Sequence, residues 1–352
     1  MPNWQSSMQQ TFEYYTVDPG TWKDVKKINS VISSTINRDS DSDTLGSATL
    51  EVTEPLGETY IRIYLITLQN GVEERHPLGT YLAQTPSNTF NGKYNKYSLD
   101  AYTPLLELKE KLPPIGYTIP KGKNIMKYVC DLTDDHMRAP VVTTERPDTL
   151  QYDFVANSSD TWAKYINDLV GSMNYSVNLD ELGRVIFQPK QNAESMQAMW
   201  TFDDSNSSIL YPEITLDNDI YGIPNVVEVV YSNGNMVFYS KAVNNDPNST
   251  LSVQNRGREI MYRDTNPNLI GLVSQAQVDR YAKQLLSNLS SVECSVSYTH
   301  GYCPVRVGDC VRLNYKKAGI EDVKAKVISQ SISCVPGCPV TEKAVFTTKL
   351  WR

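Results

Sequence analysis

The segment from Tyr60 to Leu68 constrains the fold more than any other part of the chain, because β-branched and aromatic residues fill most of it. Its sequence is YIRIYLITL, a composition typical of strands. Asn70-Gly71 follows, the dipeptide favoured by two-residue hairpin turns, whose central residues both need positive φ. We therefore predict a hairpin with a return strand from Val72 to Leu82, and a β-barrel or sandwich over about residues 21 to 100.

Further elements are predicted from hydrophobic periodicity and turn residues. The first 20 residues show no clear period and are interpreted as an arm or a loosely packed lead-in. A pair of strands between Val25 and Val52 is predicted around the polar turn Asn37 to Asp43. The remaining strands are predicted over residues 175–179, 184–188, 226–231, 236–243, 292–298, 310–315 and 325–333, with a turn over residues 232–235. Helices are predicted over residues 105–112, 124–130, 160–171 and 274–289, with a linker over residues 139–150.

Composition limits the chemistry that the protein can perform. The chain has 352 residues, enough for two or three domains, with 22 tyrosines and only 3 histidines. Its net charge is −7 and its basic residues are scattered, so we do not expect a broad DNA-binding face. The amino terminus lacks the apolar core of a secretory signal, and no apolar run approaches the ~20 residues that span a bilayer. We expect a soluble protein made in the cytoplasm.

The cysteines allow three interpretations: reduced structural residues, a disulfide, or a metal or iron–sulfur site. The spacings Cys303-x6-Cys310 and Cys334-x3-Cys338 match no common zinc pattern. Reduced, structural residues are therefore favoured, and no metal or cofactor is expected. The full set is Cys130, Cys294, Cys303, Cys310, Cys334 and Cys338.

Carboxylate pairs are the only candidates for acid–base chemistry. Asp134-Asp135 precedes His136, and Asp203-Asp204 forms a second pair. A glycosidase would need two carboxylates that face each other across a cleft, and a metal site would need a further ligand beyond the Asp131–His136 cluster. We interpret both pairs as polar loops. Because the motifs for nucleotide binding, metallo-hydrolysis and a serine nucleophile are also absent, we predict that the protein is not an enzyme.

The last third of the chain carries an ordered series of motifs. A strand over residues 220–231 contains N-V-V-x-V, followed by D-P-N-S at residues 246–249 and N-R-G-R at residues 255–258. A P-x-x-x-G-D-x-V-x-L segment covers residues 304–313. This order resembles that of the baseplate hub proteins of contractile phage tails and related injection machines, in which the segment that matches N-R-G-R is a strand. The resemblance covers residues 160–352 well and the first hundred residues more loosely.

The resemblance implies an α+β, mainly β fold with two tail-tube-like β-barrel domains and a small α+β insert between them. The corresponding boundaries are an N-terminal arm over residues 1–20 and a first barrel with short helices over residues 21–125. A linker and small α+β domain follow over residues 126–207, and a second barrel with one helix covers residues 208–352.

The resemblance also implies a structural virion protein at the tail tip, assembled in the host cytoplasm. Three copies would form a hub that adapts the hexameric tail tube to a threefold spike and lines a channel for DNA in transit. Expected partners are a tail-tube or distal tail protein, a spike or tail-lysozyme protein and other baseplate proteins, without stable membrane insertion. Arg256, Gly257 and Arg258 are the candidate interface residues, because arginine can form bidentate pairs with carboxylates of a neighbouring subunit.

Two alternatives stay open at the level of sequence. A tail-associated cell-wall hydrolase would place its catalytic domain in the middle of the chain. A carbohydrate- or receptor-binding tail protein would use tyrosines that stack on sugars. The candidates for that role are Tyr14, Tyr15, Tyr94, Tyr97 and Tyr102.

Overall fold

The computed structural model describes residues 2–90, 92–93, 95–218, 221–232, 236–265, 267, 273–289 and 291–349. Within these ranges the chain is α+β and mainly β, as predicted, with twenty strands and five α-helices. Contacts divide it into two compact units. Unit 1 comprises Met1–Ile214 and Ser297–Ala344, and unit 2 comprises Thr215–Val296 and Val345–Arg352. No helix among the described residues is long and apolar enough to cross a bilayer.

The largest sheet has thirteen strands. Its strands are β1 (Gln9–Val17), β2 (Asp24–Lys27), β3 (Val31–Asp39), β4 (Gly46–Val52), β5 (Tyr60–Gln69), β6 (Val72–Phe90), β7 (Asn95–Tyr102), β12 (Ala198–Asp203), β13 (Leu210–Asn218), β17 (Ser291–Gly301), β18 (Cys310–Tyr315), β19 (Ile320–Ser333) and β20 (Pro339–Lys349). Their order is β13-β17-β20-β19-β3-β4-β7-β6-β5-β1-β2, and β18 pairs with β12 and β19.

The predicted hairpin is confirmed as β5 and β6. Gln69 pairs with Val72 across the turn, and Asn70 and Gly71 have φ values of 52° and 78°. These positive values are what the two central residues of a type I′ turn require. The core-facing residues Ile61, Ile63 and Leu65 are fully buried, so this hairpin supplies one side of a hydrophobic core.

Unit 1 also contains a small α+β module, of which the sequence predicts the three helices and the last two strands. The module consists of α1 (Leu106–Glu110), β8 (Thr118–Ile119), α2 (Ile125–His136), β9 (Phe154–Val155), α3 (Trp162–Gly171), β10 (Tyr175–Leu179) and β11 (Val185–Pro189). Asn124 caps α2 and Thr161 caps α3 through side-chain oxygens that accept backbone N–H groups. Leu169 and Val170 on α3 are completely buried in the core of this module.

Unit 2 is built around a three-stranded sheet. It contains β14 (Val226–Ser232), β15 (Val237–Val243), α4 (Val253–Arg256), β16 (Met261–Asp264) and α5 (Gln275–Leu289), with β14 between β15 and β16. Val227 and Val229 on β14 pack with Val278 and Ala282 of α5 in the core of this unit. The predicted strands and helix are confirmed, whereas the turn expected at residues 232–235 lies mostly outside the described residues.

Several expectations of the sequence analysis differ from the structure. The supposed arm contains β1, which pairs with β5 over nine positions and is therefore an integral strand. Strands of both expected barrels share the thirteen-stranded sheet, because Ile332 of β19 pairs with Ile36 of β3. The pairing joins residues almost 300 positions apart, which local periodicity cannot reveal. The four-part domain division stays a prediction, and residues 297–344 lie in unit 1.

Candidate protein interface

The N-V-V-x-V motif places Asn225 at the start of β14, where its side chain holds a distant loop. Asn225 is fully buried. Its Oδ1 accepts the Ile260 N–H at 2.6 Å, and its Nδ2 donates to the Arg258 carbonyl at 3.0 Å. The backbone N–H of Ile260 and the backbone carbonyl of Arg258 lie in the segment that leads into β16. The Asn225 side chain provides the hydrogen-bond partners that a neighbouring strand would otherwise supply to them.

The D-P-N-S turn is held by a second group of short polar side chains. Asn244 Nδ2 donates to Ser249 Oγ at 3.0 Å, and both residues are fully buried. Asn255 Nδ2 donates to the carbonyls of Pro247 and Ser249 at 2.8 and 2.9 Å. We call residues 244–260 the asparagine-held loop, because these bonds satisfy its backbone without regular sheet structure.

The N-R-G-R motif lies at the end of α4 within this loop, and the expectation that it forms a strand is wrong. Ser252 caps the helix, and Gly257 ends it in the left-handed conformation with φ +64°. Nothing described lies within 4 Å of the position of a Gly257 Cβ, so the glycine serves the helix end here rather than a close contact inside the chain. Arg256 donates to the Ile223 carbonyl at 2.8 Å, and Arg258 is exposed.

The face of the three-stranded sheet opposite α5 carries an ion pair that the sequence analysis missed. Glu228 is buried, and its carboxylate accepts from the Tyr239 hydroxyl at 2.8 Å and from Arg263 Nε at 2.8 Å. Two hydrogen bonds lower the pKa of Glu228 below its ordinary value. The bond from Tyr239 has the larger effect and the bond from Arg263 the next largest. Lys241 of β15 contacts both oxygens of Glu259 at 3.3 Å, which links this sheet face to the asparagine-held loop.

Large apolar side chains surround this ion pair. Val237 is 68% exposed, Tyr239 50% and Met261 47%. We call Glu228, Val237, Tyr239, Met261 and Arg263 the outer sheet face. Tyrosine, methionine and arginine are residue types that are enriched in protein interfaces. Strand periodicity alone could have indicated the face, since these positions alternate with the α5-facing residues.

The other sequence candidates are dispersed. Asp134 and Asp135 lie exposed on α2 rather than in a loop, because the helix continues to His136, whose ring stacks on Trp162 with centroids 4.2 Å apart. Asp203 accepts from the N–H and hydroxyl of Ser205 in a local turn. Among the residues that the structure describes, no group of three histidine, cysteine or acidic side chains could hold a metal ion.

The described tyrosines among the candidates for sugar stacking lie in different environments. Tyr14 is buried and hydrogen-bonds Ser34, while the ring of Tyr15 lies under the Arg75 guanidinium at 4.4 Å. Tyr97 of β7 is partly buried and packs against the core that contains Ile36 and Leu50. Tyr94 lies outside the described residues.

All six cysteines are buried as free thiols, and burial raises the pKa of Cys334 to about 11.

Comparisons with solved structures identify the fold. A tail protein from Neisseria meningitidis MC58 matches with a TM-score of 0.62 at 12% identity, covering 96% of both chains. The 43 kDa tail protein of prophage MuSo2 from Shewanella oneidensis matches with a TM-score of 0.61 at 9% identity, covering 95% of this chain and 98% of the other. A Francisella PdpA–VgrG complex matches with a TM-score of 0.54 at 8% identity, covering 97% of this chain and 53% of the other.

These likenesses define a class by fold: the chain has the architecture of phage tail proteins. The α+β, mainly β fold expected from the sequence is therefore confirmed, and it is shared with these tail proteins. No family model matches the chain, and no curated protein matches it in sequence. The motifs thus identified a fold that overall sequence similarity does not reveal.

Proposed function

We propose that this chain is a structural subunit of a phage-type tail or baseplate, acting as the hub at the distal end of the tail tube. The observation that supports this proposal is the common fold with two tail proteins along nearly the whole length of each chain. Three copies form a ring that adapts the hexameric tube to a threefold spike. The ring lines a channel for DNA in transit, and the protein resides at the tail tip of the virion after assembly in the host cytoplasm.

In this proposal the outer sheet face and the exposed end of α4 contact neighbouring proteins. Val237, Tyr239 and Met261 offer apolar area, while Arg258 offers a guanidinium for a carboxylate of the neighbour. Arg256 positions the loop through its bond to the Ile223 carbonyl. Expected partners are a second copy of the chain, a tube or distal tail protein, a spike or tail-lysozyme protein and other baseplate proteins.

The proposed role is structural rather than catalytic. The carboxylate pairs that could have supported hydrolysis lie on the exposed side of α2 and in a local turn, whereas a glycosidase needs two carboxylates that face each other across a cleft. A zymogram with purified host cell wall checks this part of the proposal, and we expect no clearing at any pH at which the protein stays folded.

Arg258→Glu tests the interface directly, with Arg280→Glu as the matched control. Both residues are exposed in unit 2, and both substitutions change the charge by two units, but Arg280 lies on α5. Light scattering of the wild type is expected to give three times 39.7 kDa. Arg258→Glu should shift the trimer towards monomer, because a carboxylate would face the partner's carboxylate.

Two results would contradict the proposal. A wild-type protein that stays monomeric at high concentration and in the presence of tube protein would remove the hub role. Equal weakening of assembly by both variants would show a general charge effect, and the role of the N-R-G-R motif would then be refuted. Circular dichroism of each variant establishes that the fold is retained.

A further inference from the structure

A groove in unit 1 lies between α2 and the segment formed by residues 143–147. Lys127, Cys130 and Asp131 line its helical wall, and its volume of about 760 Å³ is within the range of ligand sites in proteins. Cys130 is buried, whereas Lys127 and Asp131 are exposed. We call this feature the α2 groove. Its walls come from separate parts of the chain, so its shape depends on how segment 143–147 is held.

Both ends of segment 143–147 are fixed by hydrogen bonds. Directly before it, the Val142 N–H donates to the Val185 carbonyl of β11 at 2.8 Å. Near its other end, Asn124 Nδ2 donates to the Arg146 carbonyl at 2.6 Å. The two walls are therefore held in place before any ligand arrives, which lowers the entropy cost of binding.

The helical wall carries two opposite charges that do not pair with each other. Lys127 and Asp131 are four residues apart, the spacing at which opposite charges on a helix commonly meet. On α3, Lys164 and Asp168 have the same residue types and spacing, and their Nζ and Oδ2 atoms lie 2.5 Å apart. Among the residues that the structure describes, neither Lys127 nor Asp131 has an ion-pair partner. Both side chains are therefore available to a ligand.

The opposite wall contributes one more unpaired carboxylate. Arg146 pairs with Asp148, with 3.0 Å between Nε and Oδ2, and its guanidinium carbon lies 5.4 Å from the ring centroid of Tyr175. Glu145 is exposed and forms no ion pair within the described part of the chain. The lining of the groove thus offers one ammonium group and two carboxylates to a ligand.

The spacing of the charges on α2 fits an extended peptide. Four residues of an α-helix rise about 6 Å, and alternate residues of an extended chain are about 6.6 Å apart on the same side. An acidic and a basic side chain separated by one residue can therefore face Lys127 and Asp131 at the same time. The residue between them points to the other side, towards segment 143–147.

We propose that the α2 groove binds an extended segment of another protein, in which one residue separates an acidic from a basic side chain. The acidic side chain pairs with Lys127, and the basic side chain pairs with Asp131 and is also attracted by Glu145. This binding requires neither ring formation nor a tube protein, so it is independent of the proposed hub role.

Three synthetic pentapeptides with blocked termini and the same uncharged dye test the proposal on the full chain. Their sequences are Val-Asp-Val-Lys-Val, Val-Asp-Val-Asp-Val and Val-Lys-Val-Lys-Val. Fluorescence anisotropy measures the dissociation constant of each. We expect the mixed peptide to bind about fivefold more tightly than either like-charged peptide, because each like-charged peptide replaces one attraction with a repulsion.

Single charge reversals in the groove should change which peptide binds best. Lys127→Asp makes the helical wall acidic and should favour the peptide with two lysines. Asp131→Lys makes it basic and should favour the peptide with two aspartates. Lys164→Asp and Asp168→Lys are the matched controls, because they make the same changes at the same spacing on α3. Both controls should keep the wild-type preference for the mixed peptide.

Three results would overturn the proposal. Equal affinity of the wild type for the three peptides would exclude recognition of the charge pair, and no binding of any peptide at about 1 mM would exclude the site. A preference that stays unchanged in both groove variants, or that changes equally in the α3 controls, would place the binding elsewhere. Circular dichroism of each variant establishes that the fold is retained.

Discussion

The turn between β10 and β11 attaches the α+β module of unit 1 to the hairpin strands, and Gly183 is the residue that permits the contact. The Leu182 carbonyl accepts three hydrogen bonds, from Trp22 Nε1 at 2.8 Å, Arg62 Nη2 at 3.2 Å and Thr80 Oγ1 at 2.8 Å. Gly183 has φ +75°, and a Cβ added there would lie 2.7 Å from Thr80 Cβ. Alanine at this position would therefore meet both backbone strain and a steric clash.

We expect Gly183→Ala to lower the free energy of unfolding by about 2–4 kcal/mol. The left-handed backbone contributes about 1 kcal/mol for a residue with a Cβ, and the overlap with Thr80 contributes about 1–3 kcal/mol. Gly122→Ala is the matched control, because Gly122 has φ +80° but no described atom within 4 Å of its Cβ position. The control should therefore lose only the backbone part, about 1 kcal/mol.

Urea denaturation followed by tryptophan fluorescence measures both variants, since Trp22 donates directly to the turn. The free energy of unfolding that Gly183→Ala loses beyond the loss in Gly122→Ala measures the steric clash separately from the backbone strain. Equal losses for the two variants would refute the reasoning, because they would show that the turn does not press against Thr80 in solution.

Three further outcomes follow from the polar contacts and thiols. The pKa of Glu228 is lowered by Tyr239 and Arg263, so its contribution to stability is present above the ordinary value of 4.5 and disappears as pH falls through the native value. Urea midpoints should therefore differ between wild type and Glu228→Gln at pH 7, and the difference should shrink as the pH falls below 4.5, whereas a constant difference would contradict this. Burial raises the pKa of Cys334 to about 11, and all six cysteines are buried free thiols. A thiol reagent at pH 8 should label them slowly in the native protein and label all six in denaturant, whereas fewer than six would indicate a disulfide. Tyr60→Phe removes a buried donor to Glu107 and should cost about 1 kcal/mol in thermal unfolding; an unchanged midpoint would exclude that bond.

Local elements were predictable from sequence because their causes are local. Asn70-Gly71 specifies its own turn geometry, and the apolar spacing of α3 and α5 specifies which face is buried. The pairing of β19 with β3 has no local cause, since it depends on a match between two strands far apart in the chain. The end of α2 was missed because the polar run Asp134-Asp135-His136 resembles a loop until its buried neighbours are known.

In the candidate interface, too, features with a local cause were predictable from the sequence and contacts between distant residues were not. The glycine of N-R-G-R indicated a special backbone position, and the structure places it at a helix end rather than in a strand. The role of Asn225 was hidden, because its partners Arg258 and Ile260 lie more than thirty residues away. The partnership of Glu228 with Arg263 depends in turn on the parallel pairing of β14 with β16.

Negative-stain imaging of the purified protein, alone and mixed with its tail-tube protein, tests the proposed hub role most directly. The account predicts threefold rings with a central opening, which cap the end of tube assemblies when tube protein is added. Single particles of 39.7 kDa that neither form rings nor associate with tube ends would contradict it.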